Sequence, residues 1–186
     1  MGAAGTLLVF APVLGSFLAH APVLRYDWMA GWKRPLDGGA TLRGRRVFGD
    51  NKTWRGAIAM GGGALALTLL LSAWPAFWTR MPAELRSAGP AVTGVLIALG
   101  TVLGELPGSF VKRQFDIAPG AQRRSFLGTL LSIWDQGDFV PGILLALVPV
   151  WRPPLRDAVL AFAVVAVGHV AISTIGYAIG ARKTVL

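Results

Sequence analysis

Cysteine is absent from this 186-residue chain, which excludes disulfides, thiolate metal sites and a cysteine nucleophile, and leaves the redox compartment unmarked. Charge is scarce. Asp, Glu, Lys and Arg make up 15% of the residues, 54% are hydrophobic, and nine acids face eighteen bases. With a mean hydropathy of +0.57, the chain carries more apolar matter than a soluble domain of its size needs, so the composition is that of a membrane protein. A net charge of +9 on a soluble chain would point to nucleic acid. Here the cations sit in short connectors between apolar runs, a pattern that fits a membrane surface and phosphorylated ligands. Internal repeats, low-complexity linkers and a second domain are missing too, so residues 1–186 read as one integral membrane domain.

What the chain does have is apolar runs long enough to cross a bilayer, since a helix rises about 1.5 Å per residue and the hydrocarbon core is about 30 Å thick. Residues 6–24 carry no charge and form the first expected span. Ala19-His20-Ala21 resembles a signal-peptidase site, but the basic segment that should precede it is missing. Residues 57–78 form the second span and a run from 87 to 108–111 the third. Residues 126–151, interrupted by Asp135 and Asp138, form the fourth, and 158–181 the fifth. Gly100, Gly104 and Gly108 at four-residue spacing prepare one face of the third span for close approach by another helix, and Gly176 with Gly180 does so in the fifth. The expected fold is all-α, a polytopic helical bundle of about five spans. Counting cations by connector gives eight in the first, four in the third and two in the tail, 14 in all, against two each in the second and fourth. The positive-inside rule then puts the N-terminus outside and the C-terminus in the cytosol. Most of the seven Trp fall at span ends and in connectors, as an interfacial belt requires. His20 and His169, each alone on an apolar run, read as structural.

The first connector holds the densest polar stretch, Arg45-Arg46-Val47-Phe48-Gly49-Asp50-Asn51-Lys52-Thr53-Trp54-Arg55-Gly56. It reads as a phosphate grip. Gly49 and Gly56 let backbone approach a ligand, and the Arg45/Arg46 pair, Lys52 and Arg55 offer charge-assisted donors. Amides at the start of the following helix add to anion binding. The alternative is that a basic loop beside a span merely sets topology and touches lipid headgroups. It is not a Walker A loop, because Gly-Lys-Ser/Thr is absent. Asn51-Lys52-Thr53 also fits a glycosylation acceptor, which a cytosolic location removes.

Carboxylates deep in a span cost roughly 2.5–3.5 kcal/mol each, so Glu105, Asp135 and Asp138 need a reason to be there. Asp135 and Asp138, three apart, are expected on one helical face, with Glu105 toward the cytosolic end of the third span. Hard oxygen ligands used sparingly beside a ligand's phosphates suit Mg²⁺. The alternative is burial as ion pairs with Lys52, Lys112 or Arg113.

Three motifs in order, Phe48-Gly49-Asp50-Asn51-Lys52-Thr53-Trp54-Arg55-Gly56, Leu103 to Arg113 with Ala118-Pro119-Gly120, and Asp135-Gln136-Gly137-Asp138, resemble the CDP-archaeol synthase family. More distantly, Ser109-Phe110-Val111-Lys112-Arg113 and the Asp-x-x-Asp pair are similar to phosphatidate cytidylyltransferases. The Lys-Asp pair and His-Gly-Gly run of that wider signature are replaced here by Ala118-Pro119 and Leu131-Ser132-Ile133, which argues against phosphatidate itself as substrate. The resemblance implies CMP transfer from CTP to a membrane lipid phosphate of the di-O-geranylgeranylglyceryl type, giving a CDP-lipid and pyrophosphate. It implies Mg²⁺ on Asp135, Asp138 and Glu105, catalytic roles for Asp135, Asp138, Lys52 and Lys112, and nucleotide contacts from Asp50, Asn51, Lys52, Thr53, Arg55, Arg46, Lys112 and Arg113. An anion transporter would also put charges inside a bundle, but no inverted repeat is visible. A non-catalytic scaffold would need no intramembrane acids.

Overall fold

The computed structural model describes residues 3–118 and 126–178. Pro119, Gly120, Arg123, Arg124, Gly180, Arg182 and Lys183 lie outside them. The first apolar run folds as α1 (Ala3–Leu8) and α2 (Val13–Arg25), separated by a turn that ends at Pro12. Together Ala4–Arg25 is long and apolar enough to cross a membrane. The second run is α3 (Trp54–Ser72), which starts three residues before the expected span and stops short of Pro75, where the four-residue α4 (Pro75–Trp78) begins. Then come α5 (Ala83–Ala88) and α6 (Pro90–Gln114). Gly89, at φ +85°, turns the chain between them. Both α3 and α6 qualify as membrane spans.

The fourth run departs from expectation. It is not one helix but α7 (Phe126–Trp134) and α8 (Phe139–Leu147), bent by 51° at the break. Asp135 and Asp138 therefore do not share a helical face; both lie in the turn at the break, and Asp138 immediately precedes α8. The physical reason is in the sequence Asp135-Gln136-Gly137-Asp138. Asp135, Gly137 and Asp138 are poor helix formers, and the two aspartates can bond nearby backbone, which favours a turn over a continued ladder inside an apolar run. Last comes α9 (Leu155–Ala178), 24 residues long. The bundle is also not purely helical, since the first connector contains a two-stranded hairpin, β1 (Thr41–Leu42) antiparallel to β2 (Arg45–Arg46).

Close packing at small residues holds the bundle, as it must where lipid is as apolar as a side chain. Helices α2 and α3 touch at Gly15 and Gly63, where a Cβ on either would fall 2.1 Å from the other's carbonyl oxygen. Buried Ser16 donates from Oγ to the Met60 carbonyl across the same seam at 2.8 Å. The glycine face of α6 receives α8: a Cβ on Gly100 would lie 2.4 Å from Ile143 Cα, and one on Gly104 would lie 2.7 Å from the Asp138 carbonyl oxygen. Val140, Ile143 and Leu147 of α8 are almost fully buried, and Phe10, Val13, Ile97, Phe139 and Trp151 pack in the same core. Leu18, Leu70, Leu145 and Leu155 point outward, each more than two-thirds exposed, as bilayer-facing residues do. Trp28, Trp32 and Trp74 are also exposed, in keeping with an interfacial belt. Trp151 departs from it and is buried in the core.

Candidate active site

The site assembles where the first connector closes over the ends of α6 and α7. Asp27 and Met29 adopt left-handed backbone (φ +50° and +58°) and turn the chain sharply after α2. The segment 34–36 then pairs with 52–54: Leu36 N–H donates to the Lys52 carbonyl at 2.7 Å and Trp54 N–H to the Arg34 carbonyl at 3.0 Å. This pairing sets the Asp37 carboxylate beneath the glycine loop. Its Oδ2 accepts from Phe48 N–H (2.8 Å) and Gly49 N–H (3.2 Å), and its Oδ1 accepts from Gly39 N–H (3.0 Å) and Arg46 Nη2 (2.9 Å). Burial pushes this carboxyl's pKa up, but the three amides and the guanidinium outweigh it and hold it at about 2, down from 3.8.

Arg46 also pairs with Asp50 at 2.6 Å, leaving the Asp50 side chain 78% exposed. The hairpin is stapled to the end of α6, because Arg45 binds Asp116 at 2.8 Å and Gln114 Nε2 donates to the Arg46 carbonyl at 3.2 Å. Gly49 needs its left-handed φ of +89°, and a Cβ there would stand 3.3 Å from Arg113. Thr53 N-caps α3, its Oγ1 accepting from Gly56 N–H at 3.3 Å. The helix thus opens at Trp54 and not at Gly56.

Four expected site residues form two ion pairs at this junction. Lys52 Nζ pairs with Glu105, and Lys112 Nζ pairs with Asp135. The ion-pair alternative is thereby realised for Glu105 and Asp135. Asp138 differs: its side chain makes no ion pair among the described residues, although the residue is only 7% exposed. Glu105, Lys52 and Asp135 all lie within electrostatic reach of it. Arg55 is buried and bound to Asp27, whose carboxyl lies below the usual range because Arg55, and then Lys33, stabilise its charge. Arg113 is also buried and donates to the Ile117 carbonyl, closing the end of α6. The expected nucleotide donors therefore separate into two classes. Lys52, Lys112, Asn51 and Thr53 stand at the junction, whereas Arg46, Arg55 and Arg113 are engaged in holding the loops.

A pocket of about 180 Å³ opens between α2, α3, α6 and the connector. His20, Asn51, Lys52, Thr53 and Glu105 supply its polar wall, and Leu36, Met60, Val102 and Leu106 its apolar one. His20, expected to be structural, is thus part of the site. His169 conforms better to expectation, with its Nδ1 3.1 Å from the Gln136 carbonyl. Sequence reasoning also missed Asp27 and Asp37. The signal for Asp37 was its place before Gly38-Gly39, where an Asx turn forms readily; Asp27 carried none.

The donor set suits a hard cation in chemistry: three carboxylates, one of them buried without a cation. The expected three-ligand cluster is not assembled, however, since no group of three His, Cys, Asp or Glu among the described residues is placed to hold a metal. Glu105 faces Lys52, and Asp135 with Asp138 at the break is the pair that fits.

A family model described as CarS-like CDP-archaeol synthase matches residues 13–185. The CDP-archaeol synthase of Halobacterium salinarum is 40% identical over 128 residues, which cover 66% of this chain and 65% of that protein, so this chain spans just under two thirds of that relative's length. That of Aeropyrum pernix is 35% identical over 162 residues, 83% of this chain and 80% of its own. That of Pyrococcus furiosus is 32% identical over 173 residues, 92% of each. A solved structure described as an intramembrane enzyme for archaeal membrane lipids biosynthesis aligns with a TM-score of 0.65 at 30% identity, over 93% of this chain and 95% of that one. The chain belongs to the CDP-archaeol synthase family.

Proposed function

We propose that this protein is a CTP-dependent cytidylyltransferase that moves CMP from CTP to a membrane lipid phosphate, 2,3-di-O-geranylgeranylglyceryl phosphate or a close relative, releasing pyrophosphate. The observation that carries this reading, beside family membership, is the convergence of two lysines and three carboxylates at one junction of a membrane bundle. A lipid phosphate monoester is already ionised near neutral pH, so its oxygen attacks the α-phosphorus of CTP without a strong base. One P–O bond forms to the α-phosphorus, the bond from the α-phosphorus to the β-bridging oxygen breaks, and pyrophosphate leaves with the electron pair. The protein's task is positioning and charge neutralisation.

Lys52 and Lys112 sit on opposite sides of that task. Each is held by a carboxylate, and each can exchange it for a phosphate oxygen without leaving the site. Asn51 and the Thr53 hydroxyl add neutral donors beside Lys52. Asp135 and Asp138 would hold Mg²⁺, with Glu105 nearby, and the ion would supply charge neutralisation across the nucleotide phosphates. Arg46, Arg55 and Arg113 brace the loop through Asp50, Asp27 and Ile117. The apolar walls keep water from competing for the α-phosphorus. The reading includes five spans, an outside N-terminus, a cytosolic C-terminus, a site facing the cytosol of the cell membrane, and 1–186 as one domain. A C-terminal fusion labelled only from the cytosolic side agrees with it, and labelling from the outer face refutes it.

The deciding experiment incubates the purified full chain with CTP, Mg²⁺ and the geranylgeranylglyceryl phosphate, and measures CDP-lipid and pyrophosphate in equal amounts. Asp138→Asn should lower turnover by orders of magnitude while the protein still melts cooperatively. Near-normal Mg²⁺-dependent turnover in both Asp135→Asn and Asp138→Asn would remove these residues from the metal site.

A further inference from the structure

We infer that His20 of α2 is an acceptor-binding residue: its imidazole hydrogen-bonds the phosphate of the lipid substrate in the pocket between α2, α3 and α6. The inference rests on the proposed cytidylyltransferase reading and adds to it which substrate occupies this pocket and which residue selects it.

Three observations converge. First, the pocket is amphiphilic. Asn51, Lys52 and Thr53 line one side, and Met60, Val102 and Leu106 the other. A lipid phosphate has the same division, a charged head on an apolar body. Second, the imidazole is half-buried on the polar side and makes no hydrogen bond among the described residues. A Cβ on Gly56 would stand 3.4 Å from its Nε2, so the ring reaches across the seam toward the start of α3 and Thr53. A partly exposed imidazole without a protein partner keeps its ring nitrogens available to a ligand or water. Third, Lys52 is paired with Glu105 until a phosphate takes the carboxylate's place. The pair carries no net charge, so selection of a phosphate there falls to added donors, and His20 is the one contributed by a different helix.

Depth agrees. His20 lies five residues before Arg25, the end of α2, which is about 7 Å along the helix axis. That sets the ring just below the connector, where the phosphate of a lipid still anchored in the bilayer arrives. The flanking Phe17, Leu18 and Leu24 of α2 are exposed to the bilayer, so a lipid tail leaving the pocket along α2 stays in apolar surroundings.

The test compares wild type, His20→Leu and His20→Gln as full-length protein in lipid nanodiscs, using a dialkylglycerol phosphate as acceptor. His20→Leu should raise the acceptor KM about tenfold or more with the CTP KM unchanged. His20→Gln, whose amide reaches the Nε2 position, should recover most of the loss. A merely structural histidine would move both KM values or the melting temperature alone, without rescue by Gln. An unchanged acceptor KM, or a rise confined to CTP, overturns the inference. Binding is read separately, as the melting shift produced by the dialkylglycerol phosphate with neither CTP nor metal present. If wild type forms no CDP-lipid, the enzymatic reading fails, and this shift still decides His20: lost in His20→Leu it supports the contact, retained it refutes it. Should His20→Leu not fold, His20→Asn, polar but too short to reach, carries the same comparison.

Discussion

Asp37→Asn tests how much of the candidate site depends on one carboxylate outside the membrane. The Asp37 side chain is 2% exposed, and its pKa is held at about 2 against an ordinary 3.8. A depression from 3.8 to about 2 is worth about 2 kcal/mol of preference for the folded loop when the group is charged. Asparagine keeps an Oδ1 for Gly39 and Arg46 but turns an NH₂ toward Phe48 N–H and Gly49 N–H, so both amides lose their acceptor. The expected result is a loop that opens roughly thirtyfold more often, the same energy expressed as a population. Hydrogen exchange at the Phe48 and Gly49 amides reads this directly, and the amides inside α6 serve as internal controls. The pH dependence has a definite sign. Because the folded pKa is depressed, the stabilisation is fully present above the unfolded value near 3.8 and is lost as pH falls through about 2. Wild-type Phe48 and Gly49 should therefore lose protection as pH drops from about 4 to 2, and Asp37→Asn should show no such loss. Equal protection in the two proteins at pH 6 would refute the assignment of Asp37 as the organiser of the loop.

Two further outcomes follow from the packing. Thr53→Ala removes the N-cap of α3 and should cost about 1 kcal/mol, seen as a lower melting temperature, while Thr53→Ser should restore it. Gly104→Val drives side-chain atoms into the Asp138 backbone, since even a Cβ would stand 2.7 Å from its carbonyl oxygen; α6 and α8 must then separate, and both melting temperature and turnover should fall, whereas Gly62→Ala, where a Cβ meets nothing within 4 Å, should change neither.

Much of the bundle was legible because a bilayer imposes a length and an apolar composition on any segment that crosses it, and the glycine spacing on α6 named the face that receives α8. The break between α7 and α8 was not, because an i, i+3 argument presupposes the helix that Asp135-Gln136-Gly137-Asp138 interrupts. The internal scaffold of the connector was also hidden. Asp37 is bonded to amides 11 and 12 residues away, and Arg55 to Asp27 at a separation of 28, and no local pattern records such partners. A guanidinium engaged by a backbone carbonyl or an aspartate, as Arg46, Arg55 and Arg113 are, has the same one-dimensional appearance as one turned to a phosphate.

The two readings of the intramembrane carboxylates, ion pair or metal site, are not opposites. On the proposed reading Glu105 and Asp135 must stay compensated throughout the cycle, because an uncompensated charge at the centre of a span costs roughly 2.5–3.5 kcal/mol. A lysine on each supplies that compensation, and the same lysine is then at hand for an incoming phosphate. The pairs Lys52–Glu105 and Lys112–Asp135 are accordingly what either reading requires, and they do not discriminate between them. Asp138 does. Among the described residues Asp138 and Asp157 are buried carboxylates without an ion pair, and of the two Asp138 lies at the break of a span, with Glu105 and Asp135 in electrostatic reach. A purely structural network would gain by replacing such a group with an apolar one, and the proposed metal site is the reading that gives it a role.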